Sequence, residues 1–235
     1  MKNIVEIIQQ NLTTKGFDIL ELFSINTYNQ NIEEDHKIPQ INSENNLAFL
    51  VGNTKNFWPY FIKALKDNPN RLKSENPFDD FVVENIESLK TLTPDEIKIR
   101  YTHRPEPKHI AFQKLASLIG LAYLAPSHLC IHPKFGPWFS LRAVITLPIT
   151  ANLSKNSAVA PCQFCIDRCN PVFNLALSKN SEATLNSQAI KSNWQDWLAV
   201  RDSCPTGKEY RFSEEQIKYH YTKDKEILKK LVLFN

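Results

Sequence analysis

Phe139-Ser140-Leu141-Arg142-Ala143-Val144-Ile145-Thr146-Leu147 alternates with a period of two. Phe139, Leu141, Ala143, Ile145 and Leu147 fall on one face, and Ser140, Arg142, Val144 and Thr146 on the other. This predicts a strand in the middle of a sheet, with Arg142 on its more polar face. Gly136-Pro137, just before it, forces a turn. Leu47–Val51 is a short apolar run suited to a second, buried strand. Looser patterns predict strands at 17–25 and 96–101. Helical spacing predicts helices at 2–15, ended by Gly16, and at 55–67, 77–90, 108–124, 166–178 and 188–200. Asn76 and Pro77 suit the N-cap and first position of the 77–90 helix. Ser213-Glu-Glu-Gln216 is a capping box, opening one last helix that ends in Leu-Lys-Lys-Leu-Val-Leu-Phe. The segments 26–45 and 149–163 are expected as loops. Helices and strands follow one another without regular alternation, so the expected class is α+β. Two regions are expected: a core over 1–150, and a cap and C-terminal helical region over 151–235 packed on it as one continuous domain.

Around the strand lies an unusual concentration of charge. The chain has 235 residues and a net charge of only +3. Residues 101–150, however, hold Arg104, Lys108, Lys114, Lys134 and Arg142 against Glu106 alone, with no Asp and four of the six histidines. Such a local field suits a small anionic ligand, and the modest overall charge argues against a nucleic-acid partner. No apolar run reaches the roughly 18 residues of a membrane span. The N-terminus does not read as a signal peptide, so a cytoplasmic protein with reduced thiols is expected. Walker, dinucleotide-fingerprint, H-E-x-x-H and G-x-S-x-G motifs are absent from the sequence.

Two segments carry candidate chemistry. Ser127 to Arg142 crowds Cys130, His132, Lys134, Trp138 and Arg142 about the Gly136-Pro137 turn. It reads either as a hairpin with solvated charges or as a pocket rim offering aromatic faces and a guanidinium. Cys130 reads as a pocket-lining thiol in preference to a nucleophile served by His128 or His132. Cys162-x2-Cys165-x3-Cys169, with Cys204-Pro205 downstream, has the sulfur count of a zinc or iron–sulfur site. Val159 stands where a ferredoxin-type motif would begin, and reduced half-buried thiols are the alternative. Trp194 and Trp197 share a helix face suited to packing, and Arg201-Asp202 follows as a capping or ion-pair unit.

Leu47–Val51, the Cys130–Arg142 block, Trp194-Gln-Asp-Trp197, Arg201-Asp202 and Arg211–Gln216, in this order, resemble the CblC family of cobalamin-processing proteins. The resemblance spans about residues 1–222. It implies a flavin-reductase-like, nitroreductase-related mixed sheet flanked by helices, around a cavity that holds cobalamin base-off. It further implies removal of the upper ligand, either reductively with a reduced flavin (FMN or FAD) or by transfer to glutathione. Cobalamin contacts would then fall at Ile110, Ala111, Phe112 and Gln113, at Leu124, Ala125 and Pro126, at Ser127, His128, Leu129 and Cys130, and at Leu141. Arg142 and Arg201 match the family's glutathione-carboxylate arginines, whereas its third arginine aligns with Ile227. The chain also resembles, more distantly, the cobalamin-dependent iron–sulfur epoxyqueuosine reductases. It lacks their two full cysteine quartets and the Asp that precedes the equivalent of the 108–124 helix. A non-catalytic cobalamin carrier is a further alternative, and a monomer or homodimer is expected.

Overall fold

The computed structural model describes residues 4–41, 45–93, 96–104, 109–151, 153, 162, 165–179 and 187–233. The chain opens with helix α1 (Ile4–Thr14), whose buried face carries Ile4, Ile8 and Leu12. Gly16 ends that turn at φ +89°, a conformation that glycine adopts without cost. Strand β1 (Ile19–Ser24) follows, then a short helix α2 (Ile25–Asn29). Next come β2 (Asn46–Asn53), α3 (Trp58–Asp67), α4 (Pro77–Glu87) and β3 (Lys98–Tyr101). The site region comprises α5 (Phe112–Leu118), the two-residue strands β4 (Tyr123–Leu124) and β5 (Cys130–Ile131), and the long strand β6 (Ser140–Thr150). After β6 come the helices α6 (Ile166–Lys179), α7 (Ser187–Ser192), α8 (Trp194–Asp202), α9 (Glu214–Thr222) and α10 (Lys225–Leu233).

The main sheet has the order β1-β2-β6-β3, and every pair in it is antiparallel. The α+β class holds, and the expected mixed sheet is corrected to an antiparallel one. β2 and β6 are the two inner strands, and β2 is buried along its whole length. Apolar side chains cover both faces. On one, Phe49, Val51, Ala143 and Ile145 pack under helices α1, α3 and α4, joined by Tyr219 and Leu228 from the C-terminal helices. On the other, Ala48, Leu50 and Val144 pack with Ile25, Tyr28, Leu115 and Phe139.

The alternation of Phe139–Leu147 is broken inside the strand. Val51 pairs with Ala143 but Gly52 pairs with Leu141, so Arg142 is an extra residue, a β-bulge. Leu141 and Phe139 therefore join the Val144 face, while Arg142 turns to the Ala143 side, against Phe78 and Asn53. The predicted sharing of faces is thus right only from Ala143 onward.

Other elements differ from expectation for local reasons. The expected loop at 26–45 contains α2 and a 3-10 turn at Glu34–His36. Ile25, Tyr28 and Ile38 anchor it in the core, and the Asn29 side chain both accepts from the Ile38 amide (2.9 Å) and donates to its carbonyl (3.0 Å). The expected 108–124 helix shrinks to α5, because Gly120 at φ +80° ends it and the Leu121 and Ala122 amides turn back to the Ala116 carbonyl. Asn76 precedes α4 as expected, but its side chain makes no capping bond. The last helix is broken at Lys223, whose φ of +57° separates α9 from α10. Ser213 caps α9 through its Oγ, which accepts from the Gln216 amide at 3.2 Å.

Candidate functional site

The segment from Ile110 to Leu141 forms one wall, held at three points. The Ala111 amide donates to the Tyr28 hydroxyl oxygen at 3.0 Å, fixing the approach to α5. The Gln113 side-chain amide donates to the His128 carbonyl at 3.3 Å, tying α5 to the turn that follows β4. That turn is closed by Ala125 N donating to Leu129 O (2.8 Å) and His128 N to Ala125 O (2.9 Å), with His128 left-handed at φ +59°. Downstream, His132 and Gly136 exchange two backbone bonds of 2.9 Å, and Gly136 and Pro137 make the expected turn between β5 and β6.

Two cavities open on this wall. One, of about 320 Å³, is lined by Phe112, Leu129, Cys130, Phe139 and Leu141, with Arg201 at its polar end. The second, of about 360 Å³, is lined by Ile110, Ala111, Lys114 and Leu124. Thr102, Phe112 and Gln113 line both, so they form one cleft over the N-terminus of α5. Of the expected cobalamin contacts, Ile110, Ala111, Phe112, Gln113, Leu124, Leu129, Cys130 and Leu141 face this cleft. Ala125 and Ser127 are buried behind it, and Pro126 and His128 are exposed. Pro137, Phe139 and Ser140, from the stretch expected as a pocket rim, also line the cleft, as does Thr102, unforeseen from the sequence. Thr102 comes there because its amide donates to the Arg142 carbonyl at 3.0 Å, at the end of the β3–β6 pairing. A separate cavity of about 710 Å³, lined by Asn26, Asn29, Gln40 and Arg100, contains none of the expected contacts.

The charged and titratable groups have distinct environments. Arg201 stacks on Trp138 (4.4 Å) and Phe212 (5.3 Å) and donates to the Pro137 carbonyl at 2.6 Å, which aims it at the cleft. Asp202 is not its partner: Asp202 takes a forked pair of bonds from Arg211, at 2.7 and 3.1 Å. Arg142 lies 4.7 Å over Phe78 and donates to Asn53 Oδ1 at 2.7 Å, and it does not line the cleft. Desolvation, against only the distant charge of Asp79, lowers its pKa to about 10. The His220 ring lies between the two arginines' aromatic supports, 4.8 Å from Phe78 and 5.9 Å from Phe212. Burial, and then the Arg142, Lys223 and Arg201 charges, push the His220 pKa well down. Burial raises the Cys130 thiol to about 12, so it is a neutral lining group at neutral pH. His132 is lowered to about 4, mainly by burial, and its Nδ1 accepts from the Lys134 and Phe135 amides.

Two of the four cysteines of the metal motif, Cys162 and Cys204, pack together. Cys162 and Cys204 share a buried cluster with Ala125 and Ile131, and the Cys162 thiol is hydrogen-bonded to Cys165. Among the described residues, no three His, Cys, Asp or Glu side chains already have the arrangement of ligands around one ion. Trp194 and Trp197 pack on different partners, Tyr221 and Phe173. Among the described residues, no helix is long and apolar enough to cross a membrane. Val159 and the rest of 154–160 lie outside the described residues, as does Lys108.

Comparison with known proteins agrees with the resemblance. No family model matches the chain. It is 28% identical over 244 residues to a Gallus gallus protein named cyanocobalamin reductase / alkylcobalamin dealkylase, covering 94% of this chain and 92% of that one. A Mus musculus protein of the same name is 26% identical over 234 residues, covering 92% and 77% respectively. The structure superposes on a C. elegans B12-trafficking protein, CblC, with a TM-score of 0.70 at 19% identity, over 98% of this chain and 96% of that one. Epoxyqueuosine reductase from Bacillus subtilis is more distant, with a TM-score of 0.51 at 12% identity over 89% of this chain and 68% of that one. The chain is therefore related in sequence to the cyanocobalamin reductase / alkylcobalamin dealkylases and shares the CblC fold.

Proposed function

We propose, from this relationship to the CblC proteins, that the chain is an enzyme that binds cobalamin base-off and removes its upper ligand. The observation that carries the reading is convergence. Residues dispersed from 102 to 201 meet on one cleft, where an apolar wall is interleaved with Thr102, His109, Gln113, Lys114, Ser140 and Arg201, a lining suited to a large organic ligand with polar edges. Phe112, Leu129 and Leu141 would cover the corrin edge and exclude water. The Gln113 and Thr102 side chains would meet its peripheral amides. The apolar wall of Phe112, Pro137 and Phe139, with the Arg201 guanidinium at its rim, fits a flat ring with an anionic tail. A reduced flavin, FMN or FAD, held there would supply the electrons for reductive decyanation.

For alkyl ligands, glutathione is the co-substrate in this reading. Arg201 is a preorganised fork for one of its carboxylates, since its stacking and its bond to Pro137 already restrict its rotamers. Arg142 lies on the other face of β6, on Phe78 and Asn53, and takes no part in this fork. Cys130, held protonated, is a wall and not a competing thiolate.

The test is the visible spectrum. Adding cyanocobalamin to the protein is expected to give the base-off spectrum, and adding reduced flavin to convert it to the decyanated form. Methylcobalamin with glutathione is expected to lose its alkyl–cobalt bands. Base-off binding without either conversion would make the protein a carrier. No spectral change under any condition would overturn cobalamin binding itself. Arg201→Lys keeps the charge but not the planar fork, and is expected to raise the glutathione KM about tenfold while leaving the base-off spectrum intact.

A further inference from the structure

Resting on the cobalamin reading above, we infer that Thr102, with Gln113 beside it, is a specificity-determining residue. It fits the cleft to corrinoids whose peripheral side chains are primary amides, and disfavours those that carry a free carboxylate.

Thr102, Phe112 and Gln113 border both lobes of the cleft and form the seam between them. The cationic groups lie elsewhere: Arg201 lines the first lobe only, and His109 and Lys114 line the second only. A ligand that fills both lobes must cross the seam, where Thr102 and Gln113 supply the polar side chains.

The partners of these two side chains fix which of their atoms remain for a ligand. Thr102 Oγ1 lies 3.2 Å from the Leu141 carbonyl oxygen and 3.3 Å from that of Arg142. Carbonyl oxygens only accept, so the single hydroxyl hydrogen is shared between these two. Thr102 therefore keeps only lone pairs for a ligand. Its β-branched side chain is stiff, and its own amide donates to the Arg142 carbonyl at 3.0 Å. Turning the hydroxyl hydrogen toward a ligand would give up both side-chain bonds. Gln113 Nε2 donates to the His128 carbonyl at 3.3 Å, which leaves Oε1 and one Nε2 hydrogen.

A primary amide has two N–H hydrogens and a carbonyl oxygen, so it satisfies both residues. A carboxylate has no hydrogen to give at neutral pH. It would set its charge against the Thr102 lone pairs and keep only the Gln113 Nε2 hydrogen as a partner. The lost bond and the uncompensated desolvation both act against it. The rim of cobalamin carries acetamide and propionamide groups, so one hydrolysed amide makes the smallest competing ligand.

Base-off spectral titration of the full chain would compare cyanocobalamin with its monocarboxylic acids, each with one propionamide hydrolysed, at neutral pH and fixed ionic strength. At least one acid is expected to bind about tenfold more weakly than cyanocobalamin. Thr102→Val, close in shape but without the oxygen, is expected to weaken cyanocobalamin about fivefold and bring that ratio below about threefold. Thr102→Ser keeps the acceptor and should keep the ratio. A merely loosened wall would weaken both ligands alike and leave the ratio unmoved. If Thr102→Val fails to fold, the ratio in the unaltered chain still decides. Equal binding of cyanocobalamin and every acid, or an unmoved ratio in folded Thr102→Val, would overturn the role of Thr102 and leave cobalamin binding intact. No binding of any of these compounds would overturn the cobalamin reading and this role with it.

Discussion

Gly136 and Gly207 are where two turns touch through bare backbone. A Cβ on Gly136 would lie 1.9 Å from the Thr206 carbonyl oxygen, and one on Gly207 would lie 2.2 Å from the Phe135 carbonyl carbon. Both also have positive φ, at +56° and +71°. Gly136→Ala is therefore expected to destabilise the fold by about 2–4 kcal/mol, from steric overlap and left-handed strain together. Denaturant unfolding against the unaltered chain would check this, and a loss under about 0.5 kcal/mol would contradict the close approach. From the sequence, Gly136-Pro137 was legible as a turn, but nothing in it announced the partner near Gly207. The environment of Arg201 is similarly half legible: a basic point is foreseen, but its closer support, Trp138, lies far back along the chain.

Strand β6 shows what a periodic pattern can and cannot tell. Its existence and central position followed from nine residues. Its phase did not, because a bulge is set by pairing with Gly52 and leaves no mark on composition. The same holds for Lys223, a lysine at φ +57° that splits a continuous helical pattern. It holds in reverse for α2, where polar residues conceal the anchors Ile25, Tyr28 and Ile38. Local chemistry did show where glycine or a cap decides, as at Gly16 and Ser213. The bulge has a measurable consequence: Leu141 faces the cleft, not the main core. Leu141→Trp is expected to weaken cobalamin binding at least tenfold while shifting Tm by only a few degrees, since it fills a cavity. Leu147→Trp, in the core, is expected to unfold the protein or lower Tm sharply. Spectral titration and thermal melts separate the two.

Across the whole molecule, histidines held neutral make stability depend on pH. The folded pKa of His132 is about 4, and that of His220 is also well below the ordinary 6.5. The unfolded chain therefore takes up protons first as pH falls below about 6.5. Stability is complete above that value and declines toward pH 4, and His132 accounts for about 1–2 kcal/mol after allowance for its partial contact with water. Urea midpoints measured from pH 7.5 to 4.5 should fall steadily, and a flat profile would contradict the neutral state of both rings. His132→Asn should remove part of the slope. The candidate site is legible to a similar, partial degree. Contacts within 110–141 are accessible through family resemblance and the aromatic stretch before β6, whereas Thr102 joins the cleft only because the sheet brings it there.

The meeting of Gly136 with Gly207 also bears on the order in which the protein is made. The wall from Ile110 to Leu141 leaves the ribosome well before Arg201 and the turn at Gly207 that seats against it. A growing chain can pair β1, β2, β3 and β6 while one side of the cleft is still missing. Ligand capture must therefore wait until the segment holding Arg201 and Gly207 has been made, so a product stalled before it would carry a formed sheet and an open flank.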